Sequence, residues 1–205
     1  MGETAEGLVY EIGGEVMRYV FFDLETGGTE PKHPDIQLAA VAVENGVELD
    51  SLEVKIKFDP ALCEPKALEI NHYSADDWKD AVSEESAIKR FAAFCKEYSD
   101  VPKVSARTGN GYRVARAGGH NVARFDFDRV MALAKRRSVF LPLDFYTLDT
   151  FQAAIWYFTA HPPFPENLRL ETLCKHFGIE ISNAHEALSD VRASVALARK
   201  LVGAF

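Results

Sequence analysis

The chain has 205 residues and a formal net charge of −8; 47% of its residues are hydrophobic and 26% are charged, the balance of a soluble globular protein with one full core. No apolar run reaches membrane-spanning length, and Met1 to Val16 is too acidic for a signal peptide. The three cysteines (Cys63, Cys95, Cys174) are widely spaced, odd in number and fit no zinc pattern, so reduced thiols and a cytoplasmic setting are expected.

In chain order, Met1 to Val16 reads as an N-terminal extension, either an extra edge strand or partly disordered, ahead of one domain over residues 17–205. Tyr19 to Phe22 is an apolar run that reads as a fully buried strand, and it delivers Asp23 and Glu25 two residues apart at its end. Strand side chains alternate, so both carboxylates share one face. A hard divalent cation would neutralise such a pair, and solvated strand-end charges are an equal reading at this stage. Thr26, Gly27 and Gly28 open the chain where backbone can approach a ligand.

Ile36 to Val43 and Val47 to Phe58 read as strands joined by an Asn45-Gly46 hairpin turn, the second with Leu49, Leu52, Val54, Ile56 and Phe58 mostly on one face. Pro65 to Tyr73 gives one or two helical turns. Glu84 to Tyr98 is an amphipathic helix capped by Ser83. Val104 to Ala117 reads as a basic hairpin running on into Gly118 and Gly119. Lys103 to Arg137 carries nine basic residues against two acidic ones, a segment charge of +7 in a chain whose remainder is −15, enough to present a basic face to nucleic acid. A solvated face is the plain alternative; a phosphate track through Arg107, Arg113 and Arg116 is preferred.

Phe125 to Arg136 is the next helix, with Asp126 in its first turn on the face of Val130 and Leu133, and Asp128 turned away. Phe145 to Leu148 is a short strand. Helices follow at Asp149 to Thr159, Leu168 to Phe177 and Ala184 to Val202. Asn183 and Glu186 have capping-box spacing, which puts His185 in the first turn of the last helix and Asp190 about one turn on. Gln152, Ile155 and Phe158 read as core at helical spacing, Trp156 is expected to pack, and Trp78 and Tyr157 are candidates to stack bases. Hairpin strands followed by alternating strand and helix imply an α/β fold with a mixed sheet covered by helices.

Three of these stretches resemble the sequence motifs of the DEDDh family of 3′-to-5′ exonucleases. They are Asp23-x-Glu25 with Thr26-Gly27-Gly28, His120-Asn121 followed by Phe125-Asp126, and His185-x-Ala187-x-x-Asp190. Asp149-Thr150 and Leu173-Cys174 before Gly178-Ile179 also match, and the resemblance covers Met17 to Leu201. It implies a ribonuclease H-like fold with a mixed sheet of about five strands and helices on both faces. It implies hydrolysis of terminal phosphodiesters of single-stranded DNA or RNA, releasing nucleoside 5′-monophosphates with two Mg²⁺ or Mn²⁺ ions. Asp23, Glu25, Asp126 and Asp190 would be the metal ligands, Asp23 bridging, and His185 the general base. Thr26, Gly27, Ile70, Asn71, His120 and Asn121 would meet the substrate, Ile70 as an apolar wedge and Asn71 as a polar contact at the terminal nucleotide.

The Asn121 to Asp126 spacing is one residue longer than in the commoner motif, and the Lys103 to Gly111 excursion resembles an insertion. The chain stops soon after the last helix, so a polymerase partner is not indicated. Several relatives are dimers, which leaves a homodimer open. A non-catalytic nucleic-acid-binding module and a structural metal site are the alternatives. DNA against RNA, and proofreading, repair or RNA processing, stay undecided.

Overall fold

The computed structural model describes residues 17–181 and 186–203. Strand β1 (Arg18–Thr26) is central, buried on both sides because helices cover both faces of the sheet. It pairs antiparallel with β2 (Asp35–Glu44), which pairs antiparallel with β3 (Val47–Lys55). Their turn places Asn45 at φ 51° and Gly46 at φ 74°, the left-handed conformations that this dipeptide tolerates. On the other side of β1 lies parallel β5 (Gly111–Gly119), flanked by antiparallel β4 (Val101–Val104) and parallel β6 (Leu143–Asp149). The order is β3-β2-β1-β5-β4, with β6 on β5.

Among the described residues the sheet therefore has six strands where about five were expected, within the ribonuclease H-like class foreseen. Leu49 breaks the expected alternation of β3. Ala42 pairs with Asp50 and Val43 with Glu48, so Leu49 is the extra residue of a bulge and is 46% exposed.

After the single-turn helix α1 (Pro65–Ile70), helix α2 (Glu84–Glu97) and helix α3 (Asp126–Arg136) cover one face. Ile88, Phe91, Val130 and Leu133 pack there on Val20, Phe22, Leu24, Leu38 and Ala40. Ser83 caps α2 as expected, accepting from the Ser86 amide at 3.2 Å. On the opposite face Phe21, Ala39, Val41 and Val43 meet Ala187, Val191, Val195 and Ala198 of helix α6 (Ala187–Val202). Helices α4 (Thr150–Ala160) and α5 (Leu170–His176) share a smaller core of Ala154, Phe158, Leu173 and Leu197.

Helix α6 begins at Ala187 with Glu186 as its N-cap residue, three residues later than expected, and no side-chain cap bond is made there. Asn183 and His185 lie outside the described residues. Trp156 does not pack: the buried stripe of α4 runs Thr150, Ala154, Phe158, which leaves Trp156 on the outer side and 75% exposed. Among the described residues no helix is long and apolar enough to cross a membrane.

Candidate active site

The carboxylates meet at the C-terminal end of β1. Asp23 stands opposite Ala39 and Glu25 opposite Gln37 on β2, so both share the face covered by α6. β5 ends its pairing with β1 at Phe21, which leaves the Leu24 amide beyond it without a strand partner on that side. The Asp126 carboxylate takes that amide: Oδ1 accepts from Leu24 N at 3.0 Å, tying the first turn of α3 to the strand end. Asp190 is held near by the same small residues that seat α6, Ala187 and Val191, against Phe21 and Ala39.

The close approach of β1 and β5 has a visible cause. A Cβ on Gly118 would lie 2.7 Å from the Phe21 ring, and one on Gly119 would lie 2.9 Å from the Phe22 carbonyl oxygen. Only glycine lets the two strands come this close. Beyond them, the loop to Asp126 is clamped by Asp149, whose carboxylate accepts from the amides of Asn121 (2.9 Å), Ala123 (3.1 Å) and Phe151 (2.9 Å).

Acidic charge is concentrated here. Burial, with Asp190 adding to it, pushes the Asp23 carboxyl up to about 7. Burial, then Asp23, then Asp190 push Glu25 up to about 8. Asp126 is raised well above the usual carboxylate range by burial and by Asp23, partly offset by the Leu24 amide. Among the described residues no cationic side chain offsets this repulsion at the three.

Among the described residues no group of three or more His, Cys, Asp or Glu side chains is arranged to hold an ion as it stands. The fit to a divalent cation rests on the donor chemistry. Carboxylate oxygens from Asp23, Glu25 and Asp126, each pushed toward its neutral form by burial and by its acidic neighbours, with Asp190 in the same field, suit a hard dication.

The substrate-side expectations divide. Asn71 is buried, and its Nδ2 donates to the Thr26 carbonyl at 3.0 Å, so it braces the strand end. Ile70 is 41% exposed at the end of α1. Thr26 Oγ1 donates to the Gly28 carbonyl at 2.9 Å, within the loop. At Gly27 a Cβ would run into the Cys63 sulfur and reach Pro34 at 3.1 Å, so the backbone there packs closely on the protein itself. His120 Nδ1 lies 2.9 Å from Thr150 Oγ1, and burial lowers its pKa. Asn121 takes a left-handed φ of 58° at the loop's turn.

Arg107, Arg113 and Arg116 are not brought to the carboxylates. Arg116 pairs in register with Tyr19, four residues back along β1 from Asp23, or roughly 13 Å at strand rise. Arg113 lies farther back still, and the hairpin turn carrying Arg107 beyond it. Asp100 holds Arg116 at 2.6 Å and its carbonyl holds Arg113 at 2.7 Å. Because β5 runs parallel to β1, Gly118 and Gly119 reach the site end while residues 103–113 extend away from it.

Two supports escaped the sequence reading. The triple clamp by Asp149 had only the Asp-Thr helix-start pattern as a signal. Buried Asp35 is bound by Arg129 Nε at 2.6 Å and Arg136 at 3.3 Å, and Arg129 also donates to the His33 carbonyl at 2.6 Å, fastening the loop after Gly28 to α3. Nothing in the spacing of those residues announces that network.

Residues 20–198 match the family model described as Exonuclease, of the RNase T type, and the chain belongs to that family. Among solved structures it is similar to an exonuclease I described in terms of how processivity is achieved, at 23% identity and a TM-score of 0.69 over 91% of this chain and 41% of that one. It is similar also to the zinc-bound complex of Escherichia coli exonuclease I with single-stranded DNA (24%, TM-score 0.68, 91% and 40%). A third is that enzyme with a dT13 oligonucleotide (23%, TM-score 0.68, 90% and 40%). These likenesses show the fold, and the chain spans about two fifths of the length of exonuclease I. Nothing among curated protein sequences matches it.

Proposed function

We propose that the chain is a metal-dependent 3′-to-5′ exonuclease of the DEDDh type, acting on single-stranded ends and releasing nucleoside 5′-monophosphates, with residues 17–205 as its exonuclease domain. The observation that carries this reading is the convergence of Asp23 and Glu25 on one face of β1 with Asp126, bound to the Leu24 amide, and with Asp190, whose charge acts on both β1 carboxylates. Those four would hold two Mg²⁺ or Mn²⁺ ions, which when bound would supply the positive charge that an anionic phosphoryl transition state needs. Asp126 fixes the strand end through the Leu24 amide, and Asn71 fixes it from the other side through the Thr26 carbonyl. His185, outside the described residues, is assigned as the general base on its position five residues before Asp190. The single-stranded DNA bound to E. coli exonuclease I makes DNA the first substrate to try, with RNA of the same sequence beside it.

The test is digestion of one oligonucleotide labelled at the 3′ end or at the 5′ end, in Mg²⁺, in Mn²⁺ and in chelator. Early loss of the 3′ label with nucleoside 5′-monophosphate as product is expected, abolished by chelator. Release of the 5′ label first, or digestion that survives chelation, would sink the proposal.

A further inference from the structure

We propose that the outer edge of the sheet, along β6 and the β4–β5 hairpin, is the surface that carries the upstream part of a single-stranded nucleic acid whose 3′ end lies at the carboxylates. This rests on the exonuclease reading for its direction, though not for the binding it describes.

Among the described strands β6 pairs only with β5, so its other edge is open. It ends at Asp149, the residue that clamps the loop leading to Asp126. Stepping back along the strand, Tyr146 and Phe145 stand three and four residues away, or roughly 10 and 13 Å. Both are outside the core, 70% and 65% exposed, with ring centroids 4.2 Å apart. The Lys103 ammonium lies 5.6 and 5.5 Å from their ring centres and is anchored 2.9 Å from buried Asp144.

Farther out, the hairpin turn carries exposed Arg107, and residues 101–117 contain no acidic side chain. A second exposed aromatic pair, Tyr112 and Phe140 at 5.8 Å, shares a cleft with Arg113 and Lys96.

Four exposed rings interleaved with cations, in a chain whose net charge is −8, form a local exception that needs a partner. Rings that accept the faces of any base, with cations spaced for a backbone, are the ingredients of a single-strand platform. At about 3.4 Å per stacked nucleotide, the roughly 13 Å from Asp149 to Phe145 corresponds to about four stacked nucleotides. The surface is therefore out of reach of a dinucleotide held at the carboxylates.

That length threshold makes the experiment. Phe145→Ser with Tyr146→Ser, and separately Arg107→Ser, alter exposed side chains and should keep the wild-type Tm; Lys103 is left in place because its removal would strand buried Asp144. Binding of fluorescent dT12 is measured by anisotropy in chelator, and steady-state digestion of dT12 and of the dinucleotide dT2 in Mg²⁺. The double variant should bind dT12 at least about tenfold more weakly. It should raise KM for dT12 and leave kcat and every dT2 parameter unchanged. The Arg107 variant should lower the salt slope of dT12 binding by about one.

Wild-type affinity for dT12 in both variants would overturn the proposal and leave this edge to a protein partner; an equal loss on dT2 would overturn it too. If the wild-type chain bound dT12 through these rings but digested nothing, the exonuclease reading would fail and this surface would stand.

Discussion

Replacing Asp23 by Asn should make the metal-free protein more stable at pH 8. The folded-state carboxyl is pushed from 3.8 up to about 7 by burial and by Asp190. The unfolded chain therefore releases this proton near pH 4 and the folded chain near pH 7. Between those values the folded state holds more protons, so this group's contribution to stability falls as pH rises and levels off above about 7. Three units correspond to roughly 4 kcal/mol at pH 8. About 1.6 kcal/mol of that is already present at pH 5, so the wild type should lose on the order of 2–3 kcal/mol between the two pH values. The acidic neighbours of Asp23 share the repulsion and titrate with it, which reduces the expected difference to about 1–2 kcal/mol. Urea unfolding in chelator at pH 5 and pH 8 measures it, with the Asn variant losing less than the wild type between them. Addition of Mg²⁺ at pH 8 should raise the wild-type Tm more than that of the variant. A variant less stable than wild type at pH 8, or one with the same pH 5 to pH 8 loss, would refute the reasoning that the Asp23 carboxylate is held against burial and the charge of its acidic neighbours.

Asp149→Ala leaves three amides without their acceptor and should cost about 2–4 kcal/mol in urea unfolding, with Asp149→Asn recovering part of it. Arg129→Ala leaves buried Asp35 with Arg136 as its remaining cation and should cost about 2–4 kcal/mol, a loss that Asp35→Asn in the same chain should reduce. His185→Ala should retain Mg²⁺-dependent stabilisation and oligonucleotide binding while turnover drops by at least about 100-fold; near wild-type turnover would remove His185 from the chemistry.

Sequence pattern revealed what periodicity and local chemistry govern. The apolar run before Asp23, the Asn45-Gly46 turn and the helix carrying Val130 and Leu133 all appear where the alternation and the 3.6-residue spacing put them. Two kinds of error share a different origin. Leu49 and Trp156 were misplaced because one extra residue in β3, or two steps around α4, reverses which side a side chain takes. Arg107, Arg113 and Arg116 were read as a phosphate track from the positive charge of their segment, and strand direction decides that the end of β5 carrying them points away from the carboxylates. A parallel pairing is a long-range fact that no local window contains. The supports of Asp149 and Asp35 escaped for the same reason, since their partners, the neighbouring Phe151 amide apart, stand 26 to 101 residues away.

The supports explain how the fold tolerates its charged end. Asp23, Glu25 and Asp126 oppose one another where little water can screen them, and relaxation by moving apart would dismantle the arrangement. Each carrier is therefore fixed by bonds that do not depend on the carboxylates being neutral. β1 is locked between β2 and the Gly118-Gly119 approach, and α3 is drawn in by the Arg129–Asp35 pair. The loop before Asp126 hangs on Asp149, and α6 rests on its own apolar face against Phe21, Val41 and Val43. Weakening any one of these should first show as a lost response to Mg²⁺ at pH 8, where the repulsion is much stronger, and only weakly at pH 5, where protons already occupy the cluster. An ion added to the wild type at pH 8 then meets donors held near one another at a cost that its own charge removes.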